Sequence, residues 1–500
     1  MFPAVRWQKI YVLVLVTLLA CGGDEEPGEG VAIEHEGPSM EDLENISEAA
    51  ADEATRAALE AALDREFPLH GLVTRTSLTV RAEADPDAPV VGWLRWGERL
   101  RLAGDPTTTS TCASGWYKLA PRGYACAGQG LEVGDTPPEV EGLVPPADRA
   151  AVLPYNYYMV KDRMTPEYHQ LPSRDQQRAA AAYGNQYLEY LDADHERQAA
   201  RFLAGEMGPS SRPHAAVARF LNRNFFIAST DVQERSSRLF ARTTGGGFVK
   251  VAHLDPRTGT EFHGVDLGEE HTLPLQYLLR DARPMIHIER SDGTHRFPRD
   301  EEAEVLPRQE LVANYVDRIR IGDHFYHHLE SDAYDGPRYL RDWFVSIIEA
   351  IEVPFEIEEG EPWIHVDISS QSLVIYRGDT PVYATLVSSG IDGHDTPIGT
   401  FTIHKKSITD TMANLGPEAG DDAYRIQDVP WTQYFEGSFA LHTAFWHHRF
   451  GLPRSHGCVN LAPADAHRVF QETWPRIPDG WHAVSTDRTG FRASRVHITE

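Results

Sequence analysis

Cys458 has the surroundings that point most directly to chemistry, because it ends a Ser-His-Gly-Cys segment and follows His442 at a short interval. A thiol with a pKa near roughly 8.5 is only slightly ionised at neutral pH, so it needs a neighbouring base to attack an acyl carbon efficiently. His442 is the candidate base, since the interval allows two adjacent β segments to bring imidazole and thiol together across a loop. The pattern predicts acyl transfer by a cysteine nucleophile.

The residues around the nucleophile have predicted roles of their own. Gly457 lets the backbone turn tightly and bring amide donors toward a reacting carbonyl group, so the amides of Cys458 and Gly457 are expected to form an oxyanion hole. Ser455 and Asn460 are expected to fix this loop. Together with His456, they are expected to line the substrate pocket.

A zinc site is an alternative use of the same region. Its ligands would be drawn from His442, His447, His448, His456 and Cys458. Their spacing fits none of the common zinc ligand pairs, because the histidine and cysteine of the motif stand only two positions apart. We therefore predict no metal.

Aromatic and histidine residues cluster near the motif in the sequence. Most aromatic residues in such positions belong to the core, and we predict this for Trp431, Phe435, Phe445 and Phe450. Tyr434 and Trp446 are expected to contact substrate. We predict that His447 and His448 are exposed residues of a lid and that His404 lies on a strand.

Alternating apolar residues predict the strands that position these groups. Ile364, Val366 and Ile368 face one way, and residues 373–376 follow a Ser-Ser-Gln turn as the return strand of a hairpin. Residues 382–387 and 400–403 continue the sheet. This part of the chain is therefore predicted to be a β domain.

From Trp363 to about Thr489 the chain resembles the L,D-transpeptidase catalytic domain family, often called YkuD-like. The matching blocks occur in the family's order and read IHVDI with SLVIY, VSSG, TPIGTF, ALH and SHGCVNL. The resemblance implies a β-sandwich catalytic domain over residues 361–489. It departs from the commonest pattern at Asn460, where Arg is more frequent.

The resemblance also implies how the site works. His442 would be oriented by the backbone carbonyl of Thr443, so no carboxylate is needed, although Asp465 is close in sequence. The interval between His442 and Ser455 is slightly short for the family, which implies a tight lid over residues 444–454.

The implied reaction is attack by Cys458 on the L,D peptide bond of a peptidoglycan stem tetrapeptide, giving a thioester that an amine acceptor resolves into a crosslink. No metal or organic cofactor is implied. Two alternatives stay open. The thioester could pass to water, making an L,D-carboxypeptidase or crosslink hydrolase, or the chain could be a non-catalytic wall-binding lipoprotein.

The whole chain has 500 residues and a formal net charge of -28. Single hydrophobic cores stop growing near roughly 250 to 300 residues, so two or more domains are expected. The acidic balance argues against nucleic acid as a partner, because phosphates attract a surplus of Lys and Arg.

The amino-terminal residues predict export. Basic residues precede an apolar run, Ile10–Ala20, that is too short to span a bilayer and is typical of a secretory signal. Its Leu-Leu-Ala-Cys ending resembles the lipobox of bacterial lipoproteins, which implies cleavage before Cys21 and lipidation there. Residues 1–21 are thus assigned to a lipoprotein signal, and Gly22 favours the outer membrane. We expect an exported, periplasmic, membrane-anchored protein; an ordinary signal peptide is the alternative.

The four cysteines fit that compartment. Cys21 is assigned to lipid. Cys112 and Cys126 close a short loop inside one predicted domain, so we expect a disulfide between them. Cys458 is left unpaired. A free thiol is prone to oxidation in an oxidising compartment, so its presence there indicates a chemical role.

Two segments precede the middle of the chain. Residues 22–68 are acidic with few large apolar side chains, and they predict a solvated tether with a helix between Met40 and Arg65. Residues 70–134 resemble bacterial SH3-like domains, in the segments LTVRA, GERL, GWYKL and GY. The resemblance implies a small β-barrel that binds the cell wall; a purely structural spacer is the alternative.

Residues 139–355 are the least informative part of the sequence. Residues 173–203 look helical, and residues 218–226 suggest a further helix. Strands are predicted at 238–242, 247–251, 315–321 and 339–345, and they weakly resemble a second, enlarged SH3-like barrel. We therefore expect a mixed α/β middle region in a mainly β, multidomain chain.

Overall fold

The structure is a computed structural model that describes residues 53–192, 213–315, 317–329, 333–415, 424–487 and 490–500. The predicted lipoprotein signal and most of the acidic tether lie outside these ranges. The helices of the described residues are α1 (Glu53–Glu66), α2 (Arg174–Asp192) and α3 (Pro463–Glu472), with 3-10 turns at Val251–His253 and Asp342–Phe344. None of these helices combines the length and the apolar content needed to cross a membrane.

The amino-terminal region after α1 consists of short strands. They are β1 (Leu69–Val73), β2 (Leu78–Arg81), β3 (Val90–Leu94), β4 (Arg99–Leu102), β5 (Thr107–Thr109), β6 (Cys112–Lys118), β7 (Tyr124–Cys126) and β8 (Leu131–Gly134). β1 pairs with β4 and β8, while β2 pairs with β3 and β7. A disulfide between Cys112 and Cys126 joins β6 to β7. The SH3-like assignment of this region stays a prediction.

The middle region continues with strands. They are β9 (Asn156–Val160), β10 (Thr165–Tyr168), β11 (Val217–Leu221), β12 (Phe226–Glu234), β13 (Leu239–Thr243), β14 (Phe248–Lys250), β15 (Leu254–Arg257), β16 (Val265–Asp266), β17 (Leu275–Leu278), β18 (Met285–Ile286), β19 (Ile288–Glu289), β20 (His295–Arg296), β21 (Leu311–Asn314), β22 (Arg318–Ile321), β23 (His324–Leu329), β24 (Arg338–Arg341) and β25 (Val345–Ile348).

The helix predicted between residues 173 and 203 is present as α2, and its remainder lies outside the described residues. Ser173 and Gln176 form reciprocal side-chain to backbone hydrogen bonds at its start, which satisfy free amides of the first turn. The further helix predicted at residues 218–226 is wrong. That segment forms β11 and the start of β12, because pairing with β10 and β9 overrides the local helix propensity.

The carboxy-terminal region has two sheets. Its strands are β26 (Pro362–Asp367), β27 (Ser372–Arg377), β28 (Thr380–Leu386), β29 (Gly399–Thr402), β30 (Lys405–Asn414), β31 (Tyr424–Glu436), β32 (Phe439–Thr443), β33 (Val459–Leu461), β34 (Ala483–Ser485) and β35 (Arg495–Thr499). One sheet has the order β16-β28-β27-β26-β35-β29, and the other contains β30 to β34. Alternating residues of both, including Ile364, Val366, Val429 and Leu441, share one buried core with α3.

The predicted hairpin around the Ser-Ser-Gln turn is present, with Val366 opposite Leu373. Strands therefore dominate all three regions, and the prediction of a mainly β, multidomain chain is confirmed.

The amino-terminal region shares a strand pair and a hydrophobic core with the carboxy-terminal region. β3 pairs with β34, and the fully buried Trp481 packs in the core of the amino-terminal strands. Gly92 is required at this junction, since a Cβ there would lie 2.4 Å from the Trp481 ring. Arg95 forms a two-pronged ion pair with Asp428, whose side chain is only 5% exposed. Residues 70–134 are thus fixed to the domain that carries Cys458.

Candidate active site

The strands that carry the predicted base and nucleophile lie side by side. β32 and β33 are parallel neighbours, with His442 opposite Asn460, and Cys458 immediately precedes β33. β31 pairs with the other edge of β32. The local register therefore brings the imidazole-bearing strand and the thiol-bearing segment together.

His442 is held in one orientation inside the domain. It is 3% exposed, and its Nδ1 atom lies 3.0 Å from the carbonyl oxygen of Thr443. Burial lowers the pKa of His442 to about 4, although the hydrogen bond to Thr443 opposes this shift. The Trp446 ring stacks against it at a centroid distance of 5.8 Å. The imidazole is therefore neutral at physiological pH.

The thiol of Cys458 is half-buried, and its Sγ atom lies 3.9 Å from the carbonyl oxygen of Ser438. Burial raises the pKa of Cys458, and the nearby backbone amide of Ala440 partly opposes this shift. The resting pair is thus a neutral thiol and a neutral imidazole, and proton transfer must accompany attack on a substrate.

The loop before the nucleophile is held by Ser455. Its Oγ atom donates to the carbonyl oxygen of Cys458 at 2.5 Å and accepts from the amide of Gly457 at 3.0 Å. Gly457 has φ +105°, and a Cβ there would lie 2.3 Å from the Phe439 ring, so only glycine fits. The expected oxyanion role of the Gly457 amide is contradicted by this geometry, because its hydrogen already goes to Ser455.

Asn460 and His447 form a side-chain pair. The amide of the buried Asn460 lies 3.1 Å from Nε2 of His447, and the amide of Arg449 donates to Nδ1 of the same ring. A neutral imidazole accepts at one nitrogen only, so Nε2 of His447 donates and the facing atom of Asn460 is its oxygen. The other amide atom of Asn460 has no partner among the described residues.

Comparisons with known proteins match this part of the chain to one family. Residues 361–477 match the family model described as the L,D-transpeptidase catalytic domain, YkuD. These residues form an L,D-transpeptidase catalytic domain. A curated relative is "Putative L,D-transpeptidase YciB" of Bacillus subtilis (strain 168), 26% identical over 129 residues, which cover 23% of this chain and 63% of that protein.

Solved structures are also similar to part of the chain. An Enterococcus faecium L,D-transpeptidase is 18% identical, with a TM-score of 0.22, over 28% of this chain and 50% of that one. L,D-transpeptidase 3 from Mycobacterium tuberculosis is 17% identical, with a TM-score of 0.23, over 33% of this chain and 74% of that one. This chain thus spans less than two thirds of the curated relative and half of the Enterococcus chain.

The aromatic residues predicted to lie in the core are buried, while the predicted substrate contacts of Tyr434 and Trp446 stay predictions. Trp431, Phe435, Phe445 and Phe450 are each at most 2% exposed, which confirms the core prediction for all of them. Tyr434 is half-buried and donates to Asp410 at 3.2 Å, and burial with the charge of Asp410 raises its pKa.

The histidine predictions are borne out only in part. The prediction that His447 is exposed is wrong, because its ring is half-buried between Asn460 and Phe450. Burial lowers the pKa of His447 to about 4. His448 is exposed as predicted. His404 is not in a strand but directly precedes β30, with its amide donating to Tyr434.

One wall of the site was missed by sequence reasoning. The exposed ring of His456 lies 4.5 Å from that of His394 and 5.7 Å from that of Tyr424. Burial raises the pKa of Tyr424, and ionisation of Cys458 would raise it further. Local spacing could not reveal either residue, since both reach the site through long-range folding.

Asp465 does not belong to the catalytic group. Its carboxylate is fully buried and accepts from the amide of Gly264 and the hydroxyls of Tyr383 and Thr385. Burial raises the pKa of Asp465 to about 6. Both oxygens of Asp465 are hydrogen-bonded to groups other than His442. The imidazole of His442 is instead oriented by the carbonyl of Thr443.

Proposed function

We propose that this protein is an exported L,D-transpeptidase of peptidoglycan, with Cys458 as nucleophile and His442 as general base. The observation that carries the proposal is the parallel register of β32 and β33, which sets the Cys458 segment beside a histidine whose Nδ1 is tied to Thr443. That bond leaves Nε2 of His442 free to accept the thiol proton.

The acyl-enzyme would form in one sequence of proton movements. The thiol proton of Cys458 passes to Nε2 of His442 while the sulfur attacks the carbonyl carbon of the L,D peptide bond. The nearby amide of Ala440, which lowers the pKa of the thiol, would help to stabilise the developing thiolate. The protonated imidazole then donates to the departing amine, the C–N bond breaks, and a thioester remains on Cys458.

The thioester is resolved by an amine acceptor from a second stem peptide. The amine attacks the thioester carbon and loses a proton to Nε2 of His442. The carbon–sulfur bond breaks, and the imidazolium returns a proton to the sulfur. Each residue thus regains its resting state, with a new amide bond formed and no cofactor consumed.

Acylation by a carbapenem tests this proposal directly. Intact-protein mass spectrometry should detect one covalent adduct on the protein and none on Cys458→Ala. Ser407→Ala is the control for a small substitution in the same domain, and it should be acylated like the parent. Failure of the parent to form an adduct, or an adduct that survives the loss of Cys458, would refute the assigned nucleophile.

We also propose that residues 1–21 direct export and that Cys21 carries a lipid which anchors the enzyme to a membrane, the outer membrane being favoured. The support is the charged entry, apolar run and lipobox-like ending of this segment. Labelling of cells with a fatty-acid analogue should mark the protein but not Cys21→Ser. Equal labelling of both would contradict the anchor.

A further inference from the structure

Residues 444–454, here called the active-site loop, contact two side chains of the site. Trp446 stacks on His442, and His447 is hydrogen-bonded to the side chain of Asn460. The position of this loop therefore sets the orientation of the base and of a pocket residue together.

The active-site loop packs on both sides against residues that lie outside the family match at residues 361–477. The ring of Phe445 lies 4.2 Å from that of Tyr157 and 5.8 Å from that of Phe226. On the other side, the ring of Phe450 lies 6.1 Å from that of Phe262. The loop thus packs between one part of the middle region that contains Tyr157 and Phe226 and another that contains Phe262.

Gln309 is the middle-region residue with the most specific hold on the loop. In the orientation that satisfies both of its amide atoms, its nitrogen donates to the carbonyl of His448 at 3.2 Å and its oxygen accepts from the amide of Phe450 at 3.0 Å. In the reverse orientation the oxygen would face the carbonyl of His448 and the nitrogen the amide of Phe450, and only a 3.4 Å bond to the carbonyl of Phe450 would remain. The side chain therefore bridges the backbone of the loop as a neighbouring strand would.

Gln309 makes this bridge from a strained backbone. Its φ is +65°, a left-handed conformation that favours glycine, and its own amide donates to Leu278. Such strain persists where the surrounding structure imposes it, and it concentrates at functional sites. Close by, a Cβ on Gly451 would lie 2.4 Å from the Leu279 side chain, so the loop is also shaped for this contact.

We propose that Gln309 is a positioning residue of the active site, through which residues 139–355 hold the active-site loop in its working place. The linkage runs from Gln309 to the loop backbone, and from there through His447 to Asn460 and through Trp446 to His442. The positioning role of Gln309 rests on the proposed function only because one of the two measurements that test it is the rate of peptide transfer. The middle region is then part of the catalytic apparatus rather than a spacer.

Gln309→Gly separates positioning from stability. Glycine adopts positive φ without strain, and this relief opposes both the loss of the two hydrogen bonds to the loop and the greater entropy of the unfolded chain, so the melting temperature should change little. We expect kcat for peptide transfer to fall about ten-fold with KM changed less than about two-fold, because the base is misplaced rather than the pocket removed. Gln309→Met, which keeps the length but not the hydrogen bonds, should lose activity to a similar degree.

Ser236→Gly is the matched control, since Ser236 is also a non-glycine residue at positive φ, in a turn of the middle region away from the loop. It should leave kcat unchanged. Gln309 variants with parental kcat would overturn the proposal, as would a loss of kcat that merely follows a loss of melting temperature.

A second readout does not depend on the peptide reaction. The rate of Cys458 alkylation by iodoacetamide should rise in Gln309→Gly as the loosened loop admits the reagent, while Ser236→Gly reacts like the parent. If the parent transfers no peptide, the proposed function fails while this readout remains informative. An unchanged rate of Cys458 alkylation in Gln309→Gly would then be sufficient to refute the positioning role.

Discussion

The Nδ1 atom of His442 donates a hydrogen bond of 3.0 Å to the carbonyl oxygen of Thr443, its neighbour in the chain. A carbonyl oxygen can only accept, so the ring proton lies on Nδ1 and the lone pair lies on Nε2. The backbone thus fixes the tautomer that a general base needs, a task that a carboxylate performs in Ser-His-Asp triads.

The first prediction concerns the acid side of the pH profile. Burial lowers the pKa of His442 to about 4, so the imidazole can accept a proton down to about that pH and loses this capacity as the pH falls through it. The rate of carbapenem acylation, measured from pH 3.5 to 8, should show its acid limb near 4. A limb near the ordinary histidine pKa of roughly 6.5 would contradict the buried base. Circular dichroism at each pH would exclude unfolding as the cause.

The second prediction concerns the thiol alone. Because burial raises the pKa of Cys458, alkylation by iodoacetamide should keep accelerating above pH 9 and show no plateau near neutrality. His442→Ala should leave this profile in place, since burial is the main cause, but should abolish peptide transfer. A profile with a midpoint near pH 6 that His442→Ala removes would instead indicate a resting thiolate–imidazolium pair.

The third prediction concerns the loop before the nucleophile. Ser455→Ala removes the hydroxyl that links the Cys458 carbonyl to the Gly457 amide, so the sulfur should lose its fixed position and kcat/KM should fall about 10- to 100-fold. Ser407→Ala is the matched control, because Ser407 is equally buried and its hydroxyl has no partner within the described ranges. Equal activity of the two variants would refute the role of Ser455.

The fourth prediction concerns the junction between the amino-terminal region and the catalytic domain. Arg95→Met leaves Asp428 buried without its cation, which should lower the free energy of unfolding by about 3 to 5 kcal/mol in urea titration. Arg99→Met, at an exposed arginine of the same region, should cost less than about 1 kcal/mol. A small effect of Arg95→Met would mean that residues 70–134 are only loosely joined to the domain.

The sequence predicted the strands and the placement of Cys458 and His442 better than the residues that surround them. Cys458, His442 and Thr443 lie in short blocks whose meaning is local, and alternating apolar residues predict the hairpin of β26 and β27. The core placement of Trp431 and Phe435 could likewise be predicted, because large aromatic side chains near a buried site seldom stay exposed.

Long-range contacts account for what the sequence could not predict. The segment 218–226 has the composition of a helix but forms strands because its partners lie elsewhere in the chain. The amide of Gly457 is hydrogen-bonded to Ser455, and the ring of His447 is hydrogen-bonded to Asn460. Both contacts depend on the detailed geometry of the loops. No local pattern marks Gln309 as a neighbour of the site.

Catalysis by Cys458 can be measured by mass spectrometry of tetrapeptide-containing muropeptides incubated with the protein lacking residues 1–21, alongside its Cys458→Ala variant. An L,D-transpeptidase with this nucleophile should give dimers joined between the third residues of two stems, formed by the parent and absent with the variant. Tripeptides or cleaved dimers alone would show that water is the acceptor and that the enzyme is a hydrolase. Muropeptides that do not change, or that change equally with Cys458→Ala, would contradict catalysis by this thiol.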